Sequence, residues 1–358
     1  MSTPPPTASR PAVRIGVLVP LTRPGWVEAG QHLLAGLELG VGEVNEGGGI
    51  AGAPLELVVR DTAADPRTAV AAVDELAGQG VVALVGEYHS VVARAVAARA
   101  EAIGLPFLCS SAVLDALTDE PSEWVARLAP AQSHGWRIYA EFLLGAGHRR
   151  VAVAVEPSVY WASGTRILRN CLAPHGGSVV EFDMRALSPE ALCEELVERR
   201  ATALLLLVGY PEPAVSIVTC VRRDARLGEV LVGAPAGQPE FAEWGGLLGD
   251  DGASVPFLRY LPERLGELGL RVEAALRGQL GGAPSFVAFE GYDAVVVLAD
   301  VLRSAAASWP HVAVEGTRGA ISFSRVPGIG VWQWAWAPVQ VVDRDPAEPG
   351  RFRVLHSG

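Results

Sequence analysis

The fold of this chain is indicated most directly by residues 81–109, which read VVALVGEYHSVVARAVAARAEAIGLPFLC. Val81–Val85 is a short apolar run typical of a buried strand, and Gly86–Ser90 is a polar loop. A helix is predicted next, because apolar residues recur from Val92 to Ile103 at spacings of four, four and three and so share one face. Leu105–Cys109 is a second apolar strand. Two strands joined through a helix predict a parallel pair.

The same alternation of strand and helix continues on both sides of this stretch. Further strands are predicted at Val13–Val19, Leu55–Arg60, Arg150–Val155, Ser178–Phe182, Ala203–Val208 and Glu229–Gly233. Helices are predicted between them, with Asp65-Pro66 and Ser188-Pro189 as starting signals and a helix from Gly164 after the loop Glu156–Ser163. This pattern predicts an α/β protein with two parallel sheets, each covered by helices on both faces.

The C-terminal third is less regular. Glu290–Leu302 is predicted to be a long helix, and Ala320–Phe323 and Val331–Val342 are predicted strands. Trp332, Trp334 and Trp336 alternate within the last of these, so they are expected to share one face. Packing in the core or between lobes is the favoured interpretation of that face, and a ligand-stacking ladder is the alternative.

Composition and charge exclude several classes of function. A chain of 358 residues with 50% hydrophobic residues predicts about two domains with a large buried core. The net charge of −11 disfavours nucleic acid and an anionic membrane surface as partners. All 29 basic residues are arginine, which excludes a Schiff-base lysine and a phosphate-loop lysine.

The N-terminus, MSTPPPTASRPAV, is rich in proline, serine and threonine. Residues 1–11 are therefore predicted to be a disordered tail, and they lack the apolar segment of a secretory signal. No apolar run reaches the length of a membrane span. A cytoplasmic location is expected, or an extracytoplasmic one if a leader is missing from this sequence.

Motifs for catalysis or metal binding are absent from the sequence. There is no GxSxG and no HExxH, and the seven histidines are scattered. The four cysteines, Cys109, Cys171, Cys193 and Cys220, form no CxxC pair. Small buried side chains are the favoured interpretation of the cysteines, while spacing alone leaves disulfide pairing open. The sequence therefore predicts no enzymatic activity, no catalytic residues, no metal and no cofactor.

Candidate binding residues follow the predicted strands, because ligands of open parallel sheets bind beyond the carboxyl ends of the strands. These candidates are Trp26, Tyr88, His89, Ser90, Ser110, Ser111, Tyr160, Trp161 and Tyr210. Ser90 is expected at the N-cap of the helix after it, where it either only caps the helix or also binds a ligand oxygen. His89 is expected to line the site rather than act as a base. Tyr160 and Trp161 are expected in a loop, either as a cleft wall or as domain packing.

Five segments carry a family resemblance. They are Ile15–Thr22 (IGVLVPLT), Val44–Pro66 (VNEGGGIAGAPLELVVRDTAADP), Val81–Ser90 (VVALVGEYHS), Glu290–Ala294 (EGYDA) and Gly316–Phe323 (GTRGAISF). In this order they resemble the type I periplasmic-binding-protein family, in its leucine-binding-like branch for branched-chain amino acids and amides. The element Asn-x-Gly-Gly-Gly-Ile-x-Gly, with the Asp-x-x-x-Asp-Pro after it, is the most specific of these signals.

The resemblance implies two Rossmann-like lobes joined by a three-stranded hinge, which close on a small polar ligand. Lobe 1 would comprise residues 12–127 and 258–332, and lobe 2 would comprise residues 128–257 and 333–358. In the family's pattern, Ser90 and the Ser110/Ser111 loop would bind a ligand carboxylate or amide. Trp26 and Tyr88 would line that part of the site, and Tyr160 and Tyr210 would approach from lobe 2.

Two positions depart from the family's pattern. Pro235 stands where amino-acid binders of the family have an acidic residue for the ligand's ammonium, and Val113 stands where threonine is usual. An amide, a carboxylate or a larger compound that stacks on aromatic rings is therefore as good a candidate as an amino acid.

Two functions fit the resemblance. The first is a cytoplasmic sensor that passes ligand binding to a regulator protein, and GEYHS (86–90) resembles the Tyr-x-Ser loop of a cytoplasmic amide-sensing regulator in the family. The alternative is the substrate-binding receptor of an ABC importer for amino acids or amides, with the permease as partner. Neither function involves nucleic-acid binding or direct insertion into a membrane. The sequence predicts no particular oligomeric state.

Overall fold

The computed structural model describes residues 10–304, 308–348 and 350–358 and divides the chain into two compact units. Unit 1 comprises Met1–Ala129 and Leu265–Ala337, and unit 2 comprises Pro130–Arg264 and Pro338–Gly358. The chain thus passes between the units three times, at positions that differ by two, seven and five residues from the predicted lobe boundaries. Most of the predicted tail, residues 1–9, lies outside the described residues.

The elements follow in chain order. Those before the first passage are β1 (Val13–Val19), α1 (Val27–Glu46), β2 (Leu55–Asp61), α2 (Pro66–Gly78), β3 (Ala83–Gly86), α3 (Ser90–Ile103), β4 (Phe107–Cys109) and β5 (Val125–Arg127). Unit 2 continues with α4 (Gln132–Gly145), β6 (Arg150–Val155), α5 (Val159–Leu172), β7 (Ser178–Asp183), α6 (Pro189–Glu198), β8 (Ala203–Leu207), α7 (Ala214–Arg223), β9 (Leu231–Gly233), α8 (Ala242–Leu248) and β10 (Phe257–Arg259). Unit 1 is completed by α9 (Glu267–Leu280), α10 (Phe286–Arg303), β11 (Ala313–Gly316), β12 (Gly319–Arg325) and β13 (Trp332–Trp334), and unit 2 by β14 (Gln340–Arg344) and β15 (Phe352–Ser357).

Unit 1 is built on a sheet with the strand order β11-β12-β13-β5-β4-β3-β1-β2. The six strands from β13 to β2 are parallel, and β11 and β12 extend the sheet antiparallel at one edge. All residues of β3, β4 and β5 are buried. The sequence of these strands is apolar without alternation because helices cover both faces of a parallel sheet.

Unit 2 has a parallel sheet with the order β7-β6-β8-β9 and a separate antiparallel sheet with the order β10-β14-β15. The central strand β8, ALLLL, is fully buried. The predicted parallel α/β architecture is therefore confirmed for both units, while the antiparallel strands were not predicted as such.

Local signals in the sequence set the ends of several helices. The Asp65 carboxylate accepts a hydrogen bond from the Thr68 amide at 2.7 Å, and Pro66 occupies the first turn of α2. The Ser188 hydroxyl caps α6 in the same way. Gly36 of α1 lies against the Ala288 carbonyl of α10, where an added Cβ would come within 1.9 Å of the oxygen. This glycine therefore allows α1 and α10 to pack backbone to backbone.

The predicted strand Val331–Val342 is wrong as one element. The chain leaves β13 after Trp334 and enters β14 at Gln340, in the other unit. Pro338 lies between them and has no amide hydrogen for a strand ladder. The expected shared face of three tryptophans is wrong for the same reason, because Trp334 is 2% exposed in the core and Trp336, beyond the strand, is 85% exposed. Within the described residues, no helix combines the length and apolarity that a membrane span requires.

Candidate functional site

The candidate residues of unit 1 lie after three neighbouring strands. Strand β3 pairs with β1 on one side and with β4 on the other, all parallel. Their carboxyl ends carry Trp26 after β1, the segment Tyr88–Ser90 after β3, and Ser110 and Ser111 after β4. The sheet thus brings these three loops to one edge of unit 1. That is the position where open parallel sheets bind ligands.

Gly86 sets the direction of the loop after β3. Its φ angle is +130°, and an added Cβ would lie 2.0 Å from the Leu18 carbonyl oxygen of β1. A side chain is thus excluded by both backbone conformation and space. The Gly86 carbonyl accepts a hydrogen bond from the Ser110 amide at 2.8 Å. This bond links the loop after β3 to the loop after β4.

Glu87 organises the loop, although sequence analysis did not single it out. Its carboxylate is fully buried and accepts hydrogen bonds at Oε1 from the amides of Tyr88 and His89, each at 2.9 Å. The same oxygen lies 3.0 Å from His89 Nδ1, and Oε2 accepts from the Thr62 hydroxyl at 2.7 Å. The buried charge is therefore stabilised by four donors. Its position inside GEYHS was visible, but the burial of its side chain was not.

His89 connects two of the loops. With Nδ1 donating to Glu87, Nε2 faces the Trp26 amide at 3.4 Å and can accept from it. The ring also makes an edge contact with Tyr88, with centroids 5.3 Å apart. Both ring nitrogens are thus directed to protein groups. The lining role of His89 stays a prediction.

Ser90 is the first residue of α3, and His89 occupies the N-cap position. The predicted N-cap at Ser90 is therefore wrong by one residue, because the extended backbone ends at His89. The Ser90 hydroxyl instead accepts a hydrogen bond from the Leu114 amide at 3.3 Å, and so connects α3 to the loop after β4. Its hydroxyl proton can still be donated, and the first amides of α3 lack acceptors within the helix.

The loop after β4 contains two further hydroxyls. Ser110 and Ser111 are both buried, and their Oγ atoms lie 3.1 Å apart. Arg127, at the end of β5, holds this loop by donating to the Leu114 carbonyl at 2.6 Å. Arg127 also donates to the Gln333 amide oxygen of β13 at 2.7 Å. Arg127 and Gln333 are thus positioning residues. The sequence did not reveal them, because they are directly opposite each other on β5 and β13 only in the observed strand register.

Arg127 is an unusual cation. It is fully buried, and the Asp115 carboxylate is close enough to favour its charged form. Its Nη2 atom has no hydrogen-bond partner among the described residues. Burial lowers the pKa of the guanidinium, although arginine keeps its charge in proteins. The carboxyl edge of this sheet therefore has a fixed positive charge beneath the Ser110–Leu114 loop.

The candidate residues of unit 2 lie on two segments. Tyr160 and Trp161 belong to the first turn of α5, where the Ser158 hydroxyl accepts from the Trp161 amide at 3.1 Å. The prediction of a loop as far as Ser163 is wrong, because this cap starts the helix five residues before the predicted Gly164. Tyr160 makes an edge contact with Trp136 of α4, with ring centroids 6.2 Å apart.

Tyr210 follows β8 and is held from two directions. Its hydroxyl donates to the Glu243 carbonyl at 2.6 Å, and its ring stacks on Trp244 with centroids 4.9 Å apart.

The segment after β9 has no acidic side chain available for a ligand's ammonium group. Pro235 follows β9, and the next acidic side chain, Glu240, is buried in an ion pair with Arg259 at 3.0 Å.

No group of three or more His, Cys, Asp or Glu side chains suited to a metal occurs in the part of the chain that the structure describes. In unit 1 the polar groups at the candidate site are hydroxyls, backbone amides, the buried Arg127 guanidinium, and the Glu87 carboxylate with its His89 partner. The hydroxyls, amides and guanidinium favour a ligand oxygen with partial or full negative charge.

Comparisons with known proteins agree with this architecture. Residues 12–322 match the profile of the periplasmic binding protein family. The Leu/Ile/Val-binding protein homolog 1 of Brucella abortus is 31% identical over 80 residues, which cover 22% of this chain and 21% of that protein. The chain thus spans about a fifth of the length of the curated relatives with which it aligns first.

Solved structures are similar over nearly the whole chain. The branched-chain amino acid substrate-binding protein LivJ of Streptococcus pneumoniae, in complex with isoleucine, has a TM-score of 0.81 at 19% identity and covers 97% of this chain and 100% of its own. A Rhodopseudomonas palustris solute-binding protein in complex with 4-hydroxybenzoate has a TM-score of 0.80 at 17% identity and covers 97% of both chains. The family profile establishes that this chain belongs to the periplasmic binding protein family, and its fold is that of the type I members of this family.

Proposed function

We propose that this protein is the substrate-binding receptor of an ABC importer and binds a small organic carboxylate or amide without converting it. The observation that carries the proposal is the set of donors at the carboxyl edge of the unit 1 sheet. Ser90, Ser110 and Ser111 supply hydroxyls there, and α3 supplies the amides of its first turn. These groups fit a carboxylate or amide oxygen.

The ligand's body is proposed to be apolar or aromatic and to lack an ammonium group. Pro235 takes the place of the family's acidic residue, and Arg259 already neutralises Glu240. An ammonium would therefore lose its hydration without gaining a carboxylate partner from this segment. Related folds with benzoate and 4-hydroxybenzoate bound support this choice, and those with leucine or isoleucine bound support the amino-acid alternative.

The receptor function is favoured over the cytoplasmic sensor that the sequence had placed first. Solved structures of similar fold include a solute-binding protein of an ABC transporter from Rhodopseudomonas palustris and a branched-chain amino acid transporter substrate-binding protein from Streptococcus pneumoniae. The cytoplasmic location stays a prediction, and fractionation of the native host with an antibody to this chain would test it. An extracytoplasmic signal would support the receptor, and a purely cytoplasmic one would favour the sensor and its regulator partner.

A thermal-shift screen tests the function. The panel contains benzoate, hydroxybenzoates, aliphatic carboxylates and amides, and the branched-chain amino acids. A binder at a hundredfold excess over Kd stabilises the folded protein by about 2.7 kcal/mol, which is visible as a rise in Tm. Stabilisation by carboxylates and not by amino acids would support the proposal. Stabilisation by amino acids alone would contradict the proposed ligand class, and conversion of a bound compound would contradict the non-enzymatic function.

A further inference from the structure

Two cysteines that are distant in the sequence meet in unit 2. Cys193 lies on α6 and is 3% exposed, and Cys220 lies on the neighbouring α7 and is partly exposed. Their Sγ atoms are 3.4 Å apart. A disulfide needs a separation of about 2.05 Å, so the sulfurs would have to approach by about 1.4 Å. Such a shift is small enough for side-chain rotation on helices that are already packed together.

We propose that Cys193 and Cys220 form an intramolecular disulfide that fastens α6 to α7 when the protein meets a small disulfide oxidant, such as oxidised glutathione. The sequence left this pairing open, because the two cysteines are 27 positions apart and form no CxxC motif. The inference rests on the positions of the two sulfurs and does not depend on the proposed ligand.

The surroundings assign different roles to the two thiols. Cys220 lines an open surface groove of about 570 Å³ together with Ser216, Thr219 and Arg223. An oxidant can therefore reach Cys220, in a groove that also contains Arg223 and the carboxylates of Glu190 and Asp224. Cys193 is buried, and burial raises the pKa of its thiol, so the more accessible Cys220 reacts first.

The reaction is two thiol–disulfide exchanges. The Cys220 thiolate attacks one sulfur of the oxidant, the oxidant's sulfur–sulfur bond breaks, and one thiolate leaves. Cys193 then gives up its proton to solvent and attacks Cys220 Sγ in the mixed disulfide, which expels the second thiolate. The protein loses two electrons and two protons, and the oxidant is reduced to two thiols.

The test equilibrates the full chain in a tenfold excess of oxidised over reduced glutathione, blocks free thiols under denaturing conditions and maps the peptides by mass spectrometry. The expected result is a Cys193–Cys220 cross-link, with Cys109 and Cys171 alkylated as internal controls. Adding reductant to the oxidised protein should lower its apparent Tm by about 5 °C, since the cross-link closes a loop of 28 residues. Free thiols at both positions, or glutathione bound to Cys220 without a cross-link, would overturn the proposal.

Two variants separate the cross-link from other effects of oxidation. Cys220→Ser places a hydroxyl at a partly exposed position and should abolish both the cross-link and the redox dependence of Tm. Cys171→Ser changes another partly exposed cysteine and should leave both unchanged. A redox-dependent Tm that persists in Cys220→Ser would contradict the assignment. The peptide map of the unaltered protein decides the question even if a variant fails to fold.

Discussion

The buried carboxylate of Glu87 offers the sharpest test of how the candidate site is held together. The change Glu87→Ala removes the acceptor for the Thr62 hydroxyl, for the amides of Tyr88 and His89, and for the His89 ring. The Thr62 hydroxyl is fully buried, so leaving it without an acceptor costs about 1–3 kcal/mol. The other three donors are partly exposed and can regain water.

Each of those three partly exposed donors should cost about 0.5–1.5 kcal/mol when its bond to Glu87 is lost. Together with the Thr62 hydroxyl, the free energy of unfolding should fall by about 5 kcal/mol. Glu87→Gln keeps one acceptor oxygen and replaces the other with an NH2 group, which can donate to the Thr62 hydroxyl oxygen, so its cost should be less than half of that value. Glu315→Ala, at an exposed position of β11, is the control and should change stability by at most about 0.5 kcal/mol.

Urea denaturation followed by fluorescence measures the stability change, and amide hydrogen exchange locates it. In Glu87→Ala the amides of Tyr88 and His89 should exchange faster, whereas the Leu84 amide, bonded to the Pro106 carbonyl, should keep its protection. A stability loss below 1 kcal/mol, with unchanged exchange at both loop amides, would refute the assigned role of Glu87.

Three further predictions concern other parts of the molecule. Trp334→Ala should cost about 3–5 kcal/mol of stability because Trp334 is in the core, while Trp336→Ala should be nearly neutral; equal effects in denaturation would contradict the corrected positions of these residues. The Ser285 amide donates to His32 Nδ1, and burial lowers the pKa of this histidine, so the neutral ring is the folded form. The contribution of His32 to the unfolding free energy should therefore be fully present above about pH 6.5 and should decrease as the pH falls below that value. His32→Gln should make the dependence of the unfolding free energy on pH less steep, and an equally steep dependence in the variant would exclude His32 as its source. A proven ligand should make the protein more compact, as the family resemblance implies, and identical small-angle scattering curves with and without the ligand would argue against closure of the lobes.

Much of the fold followed from hydrophobic patterning. The strand Arg150–Val155 was predicted with its observed bounds, because a run of apolar residues with polar flanks leaves few alternatives. Strand β15 was missed, since it is largely exposed and its sequence, FRVLHS, lacks the apolar run of a parallel strand, while β14 was covered in part by the predicted strand Val331–Val342. The predicted shared face of Trp332, Trp334 and Trp336 was wrong because the strand ends at Trp334, shortly before the chain enters the other unit. Local sequence does not signal that change of unit.

The candidate site was predictable in its position and not in its internal bonds. The rule that ligands bind beyond the carboxyl ends of parallel strands identified the loops with Ser90 and Ser110. Glu87 and Arg127 were missed because charged residues are seldom fully buried, so a sequence gives them an exposed position by default. Their roles depend on the pairing of β3, β4 and β5, which local sequence does not contain.

The hydroxyls after β3 and β4 are proposed to bind an oxygen of a small solute that the protein leaves unchanged. Calorimetric titration is the decisive experiment, with the best binder of the thermal-shift panel and the variants Ser90→Ala and Ser110→Ala, and with the exposed Ser178→Ala as control. We expect one-to-one binding, a loss of about 1–3 kcal/mol of binding free energy in each of the first two variants, and wild-type affinity in the control. Wild-type affinity in all three variants would rule out this binding site.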